Sequence, residues 1–187
     1  MKSREGEKII LGIDPGTTVT GYGLISVTGK TPTVIALGII DLRKKEDHFK
    51  KIRAIFEQTL SLIDQYHPDE FAIEAQFFGK NVQSMLKLGR AQGAAISAAL
   101  YRDLPVFEYA PRMIKMSITG RGQASKEQVA TMLRTILAFR GEKMLLDATD
   151  ALGAALCHFY QSAKPSSKGS SGSWEAFVRN NSDRIRR

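Results

Sequence analysis

Cysteine is almost missing from this chain: Cys157 is the single one in 187 residues. That excludes an internal disulfide and the stapled scaffold of a small secreted domain, and it fits a reducing, cytoplasmic setting. Cys157 sits in an Ala- and Leu-rich stretch, where a thiol serves as a small buried hydrophobe rather than as a nucleophile. No apolar run approaches the ~20 residues needed to span a bilayer. Met1–Lys8 is charged and lacks the apolar stretch of a secretory leader. No internal repeat is visible. Acidic residues are also in deficit, with 19 Asp and Glu against 27 Lys and Arg, for a formal net charge of +8. Such a surface suits nucleic acid, an anionic membrane or acidic proteins.

What is present reads as one domain followed by a tail. Three strands are predicted first: Lys8–Asp14, Val19–Val27 and Thr33–Ile40, joined by Asp14-Pro15-Gly16-Thr17 and Gly29-Lys30-Thr31-Pro32. Both links are turn chemistry, so the three form an antiparallel meander. The period then lengthens. Phe49, Ile52, Ile55, Phe56, Leu60 and Ile63 recur at helical spacing, and His67-Pro68-Asp69 ends that helix. Glu70–Glu74 is a short fourth strand and Pro105–Tyr109 a fifth. Helices are predicted over Ser84–Arg102, Ser125–Ala138 and Asp147–Ser162. The Ser84–Arg102 helix has an unusually small side, which permits close approach of another element or subunit. Ser125 and Gln128 match a capping box. The order βββαβαβαα indicates an α/β architecture, a five-stranded mixed sheet flanked by helices. Residues 1–163 form this domain. From Lys164 the chain turns into a Ser/Gly/Lys/Pro linker and then a basic tail, 164–187, which contains Trp174 and Phe177 and ends Arg184-Ile185-Arg186-Arg187.

Four acids carry the chemistry. Asp14 and Glu74 each end an apolar strand, and Asp147 and Asp150 stand one helical turn apart, so both can face one point. A buried carboxylate without a partner is expensive, and four together raise one another's pKa values. Taken singly, Asp14 suits a turn, Asp147 an N-cap, Glu74 a surface acid at a strand end and Asp150 first-turn helix charge; the joint pattern is far more specific. Two Mg²⁺ ions, with Mn²⁺ as a substitute, would remove the repulsion and form a phosphodiester-cleaving site, activating a water and stabilising the leaving 3′-oxygen.

Cations suited to a polyanion cluster in the central stretch: Lys80, Lys87, Arg90, Arg112, Lys115, Arg121 and Lys126. As phosphate contacts they would give salt-dependent affinity. Gly120-Arg121-Gly122-Gln123 reads as a flexible cationic loop that tracks a backbone. Phe77 and Phe78 are adjacent aromatics in a polar segment, suited to stacking on unpaired bases. His158 is weighed toward helix packing rather than metal ligation.

Leu11-Gly12-Ile13-Asp14-Pro15-Gly16, Phe71-Ala72-Ile73-Glu74 with Lys80-Asn81, Leu86-Lys87-Leu88-Gly89, Glu108-Tyr109-Ala110 and Asp147-Ala148-Thr149-Asp150-Ala151-Leu152 resemble, in this order, the RuvC family of bacterial Holliday-junction resolvases. The resemblance runs from about Ile9 to His158. It implies a ribonuclease-H-like fold, a homodimer, and a Mg²⁺-dependent endonuclease that nicks two like-polarity strands of a four-way DNA junction symmetrically, leaving 5′-phosphate and 3′-hydroxyl ends. It matches the four catalytic acids to Asp14, Glu74, Asp147 and Asp150, although some relatives place a histidine at the position of Asp147. It marks Lys115 and Lys126 as basic positions important for cleavage and favours Phe77 for stacking. It also implies a RuvA–RuvB branch-migration partner. It covers no part of the tail.

Other classes make different demands. Gly12–Thr18 also fits the first phosphate loop of an actin/Hsp70-like ATPase, but a second domain and a second Asp-x-Gly-Thr-like loop are lacking. A non-cleaving junction binder has no use for four acids beside DNA. A nuclease acting on structured RNA would keep the same fold and acids.

Overall fold

A computed structural model describes residues 6–76, 81–139 and 146–163. The elements are β1 (Glu7–Asp14), β2 (Val19–Thr28), β3 (Thr31–Asp41), α1 (His48–Tyr66), β4 (Glu70–Glu74), α2 (Val82–Leu100), β5 (Val106–Tyr109), α3 (Pro111–Thr119), α4 (Lys126–Leu137) and α5 (Leu146–Ser162). All five expected strands form. They make one sheet in the order β3-β2-β1-β4-β5. β1, β2 and β3 pair antiparallel, while β4 runs parallel to both β1 and β5.

Strand parity assigns each residue to a layer, because side chains two apart share a face. In β1, Ile10 joins the core beneath α3, α4 and α5, while Leu11 and Ile13 join the core beneath α1 and α2. In β4, Ala72 belongs to the first core and Phe71 and Ile73 to the second. By the same alternation Asp14 and Glu74 rise on the α5 side. The register pairs Ile13 with Ile73, so the two acids follow at neighbouring carboxyl ends.

The helices start and stop for local reasons. Asp47 caps α1 by accepting from the Lys50 N–H, and His67, at φ 48°, ends it before Pro68. The Ser125–Gln128 capping box of α4 is present in both directions. The helix α3 corrects the expected element order. Pro111 stands at its first turn, no side chain caps its N-terminus, and Gly120 at φ 71° closes it. Its buried residues are Ile114 and Ile118. The expected Gly120–Gln123 loop joins α3 to α4. Thr119 Oγ1 donates to the Lys115 carbonyl (2.8 Å) and accepts from the Arg121 N–H (3.1 Å), and the Ala124 N–H reaches back to the Arg121 carbonyl at 3.2 Å. The segment is a fastened turn.

Three glycines fix the height of α5 above the sheet. A β-carbon on Gly12 would lie 2.1 Å from the Ala151 carbonyl oxygen, one on Gly21 1.9 Å from that of Asp147, and one on Gly23 2.8 Å from Leu152 Cα. Gly12 and Gly23 are register partners, and Gly21 is the partner of Asp14. The helix therefore lies on bare backbone. Among the described residues no helix is long and apolar enough to cross a membrane.

Candidate active site

The contact between α5 and the glycines brings distant acids together. Asp147, in the first turn of α5, rests over Gly21, whose register partner is Asp14. Carboxylate oxygens of Asp14, Asp147 and Asp150 all lie within 4.8 Å of one another. Glu74 stands beside this trio rather than in it. It shares with Asp150, Lys115, Lys126, Pro111, Ile114 and Val129 a cavity of about 240 Å³.

Electrostatics in this corner are unfavourable in the protein alone. Burial pushes the Asp14 carboxyl up to about 8, and Glu74, Asp150 and Asp147 add to the rise while Lys126 opposes it. Burial and Asp150 push Glu74 up to about 7, against Lys126 and Lys115. The ammonium of Lys126 is ion-paired with Asp150. Burial, the largest single influence, lowers the Lys126 pKa, but the bond to Asp150 together with the negative charge of Asp150, Asp14 and Asp147 outweighs it, and the net shift is upward. Hard oxygen donors carrying surplus negative charge are what a divalent cation requires. The donor set fits such an ion: Asp14, Asp147 and Asp150 would hold it, with Glu74 adjacent.

The other expected residues fall in three groups. Lys115 and Lys126 line the acidic cavity. Arg112 and Arg121 are exposed at the two ends of α3 and its following turn, and Gly122 packs against the Arg112 stem. Lys87 and Arg90 are exposed on α2, in the opposite layer. Phe77, Phe78 and Lys80, and the tail from Lys164, lie outside the described residues.

His158 is not among the clustered acids. It is 2% exposed and stacks on Phe107 at 4.2 Å between ring centres. Its Nδ1 lies 2.6 Å from the Tyr109 hydroxyl and its Nε2 2.5 Å from Glu70 Oε2, which also takes Lys8 Nζ at 2.5 Å. The neutral ring thus donates from Nε2 to Glu70 and accepts at Nδ1 from Tyr109. This network joins α5 to β4, β5 and β1. Sequence reasoning missed Glu70 and Tyr109 as its members, since 88 residues separate Glu70 from His158.

A mixed five-stranded sheet flanked by helices is a ribonuclease-H-like α/β architecture, and the acids at the carboxyl ends of its adjacent central strands and on the helix laid across them are its candidate divalent-metal centre. The family model for crossover junction endodeoxyribonuclease RuvC matches residues 10–158. The chain is 61% identical to crossover junction endodeoxyribonuclease RuvC of Bacteroides fragilis over 96% of its length and 97% of that protein, and 53% identical to that of Porphyromonas gingivalis over 96% and 98%. Among solved structures, Thermus thermophilus RuvC in complex with Holliday junction substrate superposes with a TM-score of 0.76 at 32% identity, covering 82% of this chain and 94% of that one. The chain belongs to the RuvC family. The ATPase alternative falls with this result, and the Gly12–Thr18 turn agrees: the Gly16 N–H is already taken by Thr20 Oγ1 at 3.2 Å.

Proposed function

We propose that this protein resolves four-way DNA junctions by paired nicks in recombination and repair, using Asp14, Glu74, Asp147 and Asp150 to seat two Mg²⁺ ions per subunit, with Mn²⁺ as a substitute. The observation that carries the reading is the packing of three carboxylates within 4.8 Å, beside a fourth, at a lysine-lined cavity of a strongly basic protein. Bound hard cations supply water activation and stabilisation of the leaving 3′-oxygen.

The protein's own groups do the rest. Asp14 and Glu74 must both be ionised, and the positive charge of Lys126 and Lys115 favours that form. The same ammonium groups stand where a scissile phosphate would enter the cavity and would offset charge that develops as the bond breaks. Arg112 and Arg121 on the neighbouring surface, Lys87 and Arg90 on α2, and Lys80 would hold phosphates, and Phe77 would stack on an unpaired base. Residues 1–163 serve as the nuclease domain and 164–187 as a basic tail. The place of work is the cytoplasm.

Paired incision requires two centres, and a twofold dimer matches the approximate twofold symmetry of a four-way junction. The contact we assign is the outer face of α2. The alanines of that helix, Ala91, Ala94, Ala95, Ala98 and Ala99, are buried within the subunit. Its outer face exposes Val82, Leu86 and Leu100, and Gly89 and Gly93 have nothing within 4 Å of where a β-carbon would stand. A partner helix can approach closely there. RuvA–RuvB is the proposed branch-migration partner.

The test is a synthetic four-way junction incubated with wild type and Asp14→Asn, in Mg²⁺ and in EDTA. Binding is expected in every case, with paired, ligatable nicks from wild type with metal alone. Cleavage of structured RNA but not of the junction would favour the RNA-directed alternative.

A further inference from the structure

An open groove of about 700 Å³ runs between α3 and the end of α5. Its walls include Met113, Met116, Arg112, Tyr160 and Gln161. Met113 and Met116 are each 46% exposed, side by side along one helix face. Exposed methionines next to a tyrosine make an adaptable apolar seat, well suited to an aromatic guest. Of these wall residues the proposed nuclease uses Arg112 alone, as a phosphate contact.

The chain itself supplies a guest. The described residues stop at Ala163, whose N–H closes the last turn of α5 on the Phe159 carbonyl at 3.0 Å. The last described residue thus lies within one turn of Tyr160 and Gln161, which line the groove. A ten-residue Ser/Gly/Lys/Pro stretch follows, and then Trp174-Glu175-Ala176-Phe177-Val178. Trp174, Phe177 and Val178 are spaced to share one side of a helical turn. A Gly/Ser-rich stretch of ten residues spans about 17 Å on average, which keeps the segment within range of the groove. A short tether holds it at roughly millimolar effective concentration, and a modest intrinsic affinity is then enough. Charge also matches, since Glu175 precedes Ala176 and Phe177 while Arg112 stands on the groove wall.

We propose that the segment Trp174–Val178 of the same subunit docks in the α3–α5 groove, with Trp174 and Phe177 against Met113 and Met116. Docking anchors the basic end, Arg179 and Arg184-Ile185-Arg186-Arg187, along the face that carries Arg112 and Arg121. The tail then adds phosphate contacts beside the nuclease centre instead of trailing in solution.

Trp174 is the one tryptophan of the chain, so its fluorescence reports on the segment directly. Full-length protein is expected to show blue-shifted emission and several-fold weaker acrylamide quenching than free N-acetyltryptophanamide. Met116→Glu and, separately, Met113→Glu should restore both to the free values; these are exposed positions, and circular dichroism will verify that the fold is kept. Phe177→Ala should loosen the protection in part. Quenching of the wild type equal to that of the free amide, or protection untouched by both methionine variants, overturns the proposal. Protection lost on dilution assigns the segment to another copy and overturns it as well.

Discussion

Gly21 lies under Asp147 so closely that a β-carbon on the glycine would sit 1.9 Å from the Asp147 carbonyl oxygen. The register partner of Gly21 is Asp14. One absent methyl group therefore decides how near the first acid of α5 comes to the acid that ends β1. Gly21→Ala is expected to lift the start of α5, cost about 1–3 kcal/mol of stability through overpacking, and reduce junction cutting more than junction binding. Gly12→Ala, whose β-carbon would be 2.1 Å from the Ala151 carbonyl oxygen, should act alike. Denaturant unfolding and a cleavage time course on each variant check both parts.

The outer glycines of α2 respond oppositely. Gly89→Ala and Gly93→Ala meet no atom within 4 Å in the subunit. Each should raise helix stability by about 0.5–1 kcal/mol. If the proposed subunit contact is right, the double variant weakens dimerisation at the same time. Sedimentation at decreasing concentration separates the two effects.

The metal-free protein should become less stable as pH rises. The Asp14 pKa goes up on folding from an ordinary 3.8 to about 8, and that of Glu74 from 4.5 to about 7. Between those limits the folded state holds protons that the unfolded state has released, so stability is full at low pH and is lost as pH climbs through 7 and 8. Asp14→Asn removes the larger share. It should flatten the pH 6.5–8 slope and stabilise the metal-free protein at pH 8 by at least about 1 kcal/mol, ~2–4 °C in Tm. Thermal scans in chelator across this range measure it.

His158 should work in the other direction at acid pH. Burial holds its pKa below the usual value, against Glu70, so the neutral ring is favoured on folding and its contribution is lost as pH falls below about 6.5. His158→Ala breaks two hydrogen bonds and the stack on Phe107, for an expected loss of about 2–4 kcal/mol. Tyr109→Phe, which removes one bond, should cost about 1 kcal/mol. Urea midpoints at pH 7.5 and 5.5 distinguish these.

Much of this was legible in the residues, for physical reasons. Buried strands announce themselves by apolar runs, and an acid at the end of each is conspicuous, so Asp14 and Glu74 stood out. Asp147 and Asp150 were legible because a one-turn spacing fixes a shared helix face. The glycines were not. Gly12, Gly21 and Gly23 only weaken a strand locally, and their purpose appears once α5 is seen lying on them. The helix α3 escaped because it has nine residues, opens on a proline and has no side-chain cap. The small-residue stripe of α2 forms one side by spacing alone; in the fold its alanines pack inward, while Gly89 and Gly93 are exposed.

Lys126 stands on Asp150 and opposes the upward shift of Asp14. Lys126→Gln should reduce cleavage by about 10²–10³-fold while leaving most junction affinity intact. In metal-free protein it should also steepen the loss of stability toward pH 8, because Asp14 loses the charge that opposes its upward shift. Single-turnover kinetics and chelator-treated thermal scans test the pair of effects together.

The most direct measurement is a calorimetric titration of Mg²⁺ into the protein at pH 7.5, run in two buffers of different ionisation enthalpy. Saturable binding with net proton release is expected for wild type, since Asp14 and Glu74 give up protons when a cation is seated, and binding should be lost or strongly weakened in Asp14→Asn. Equal binding by wild type and Asp14→Asn, or no saturable binding at all, would contradict the assignment of these acids to a metal-dependent cutting centre.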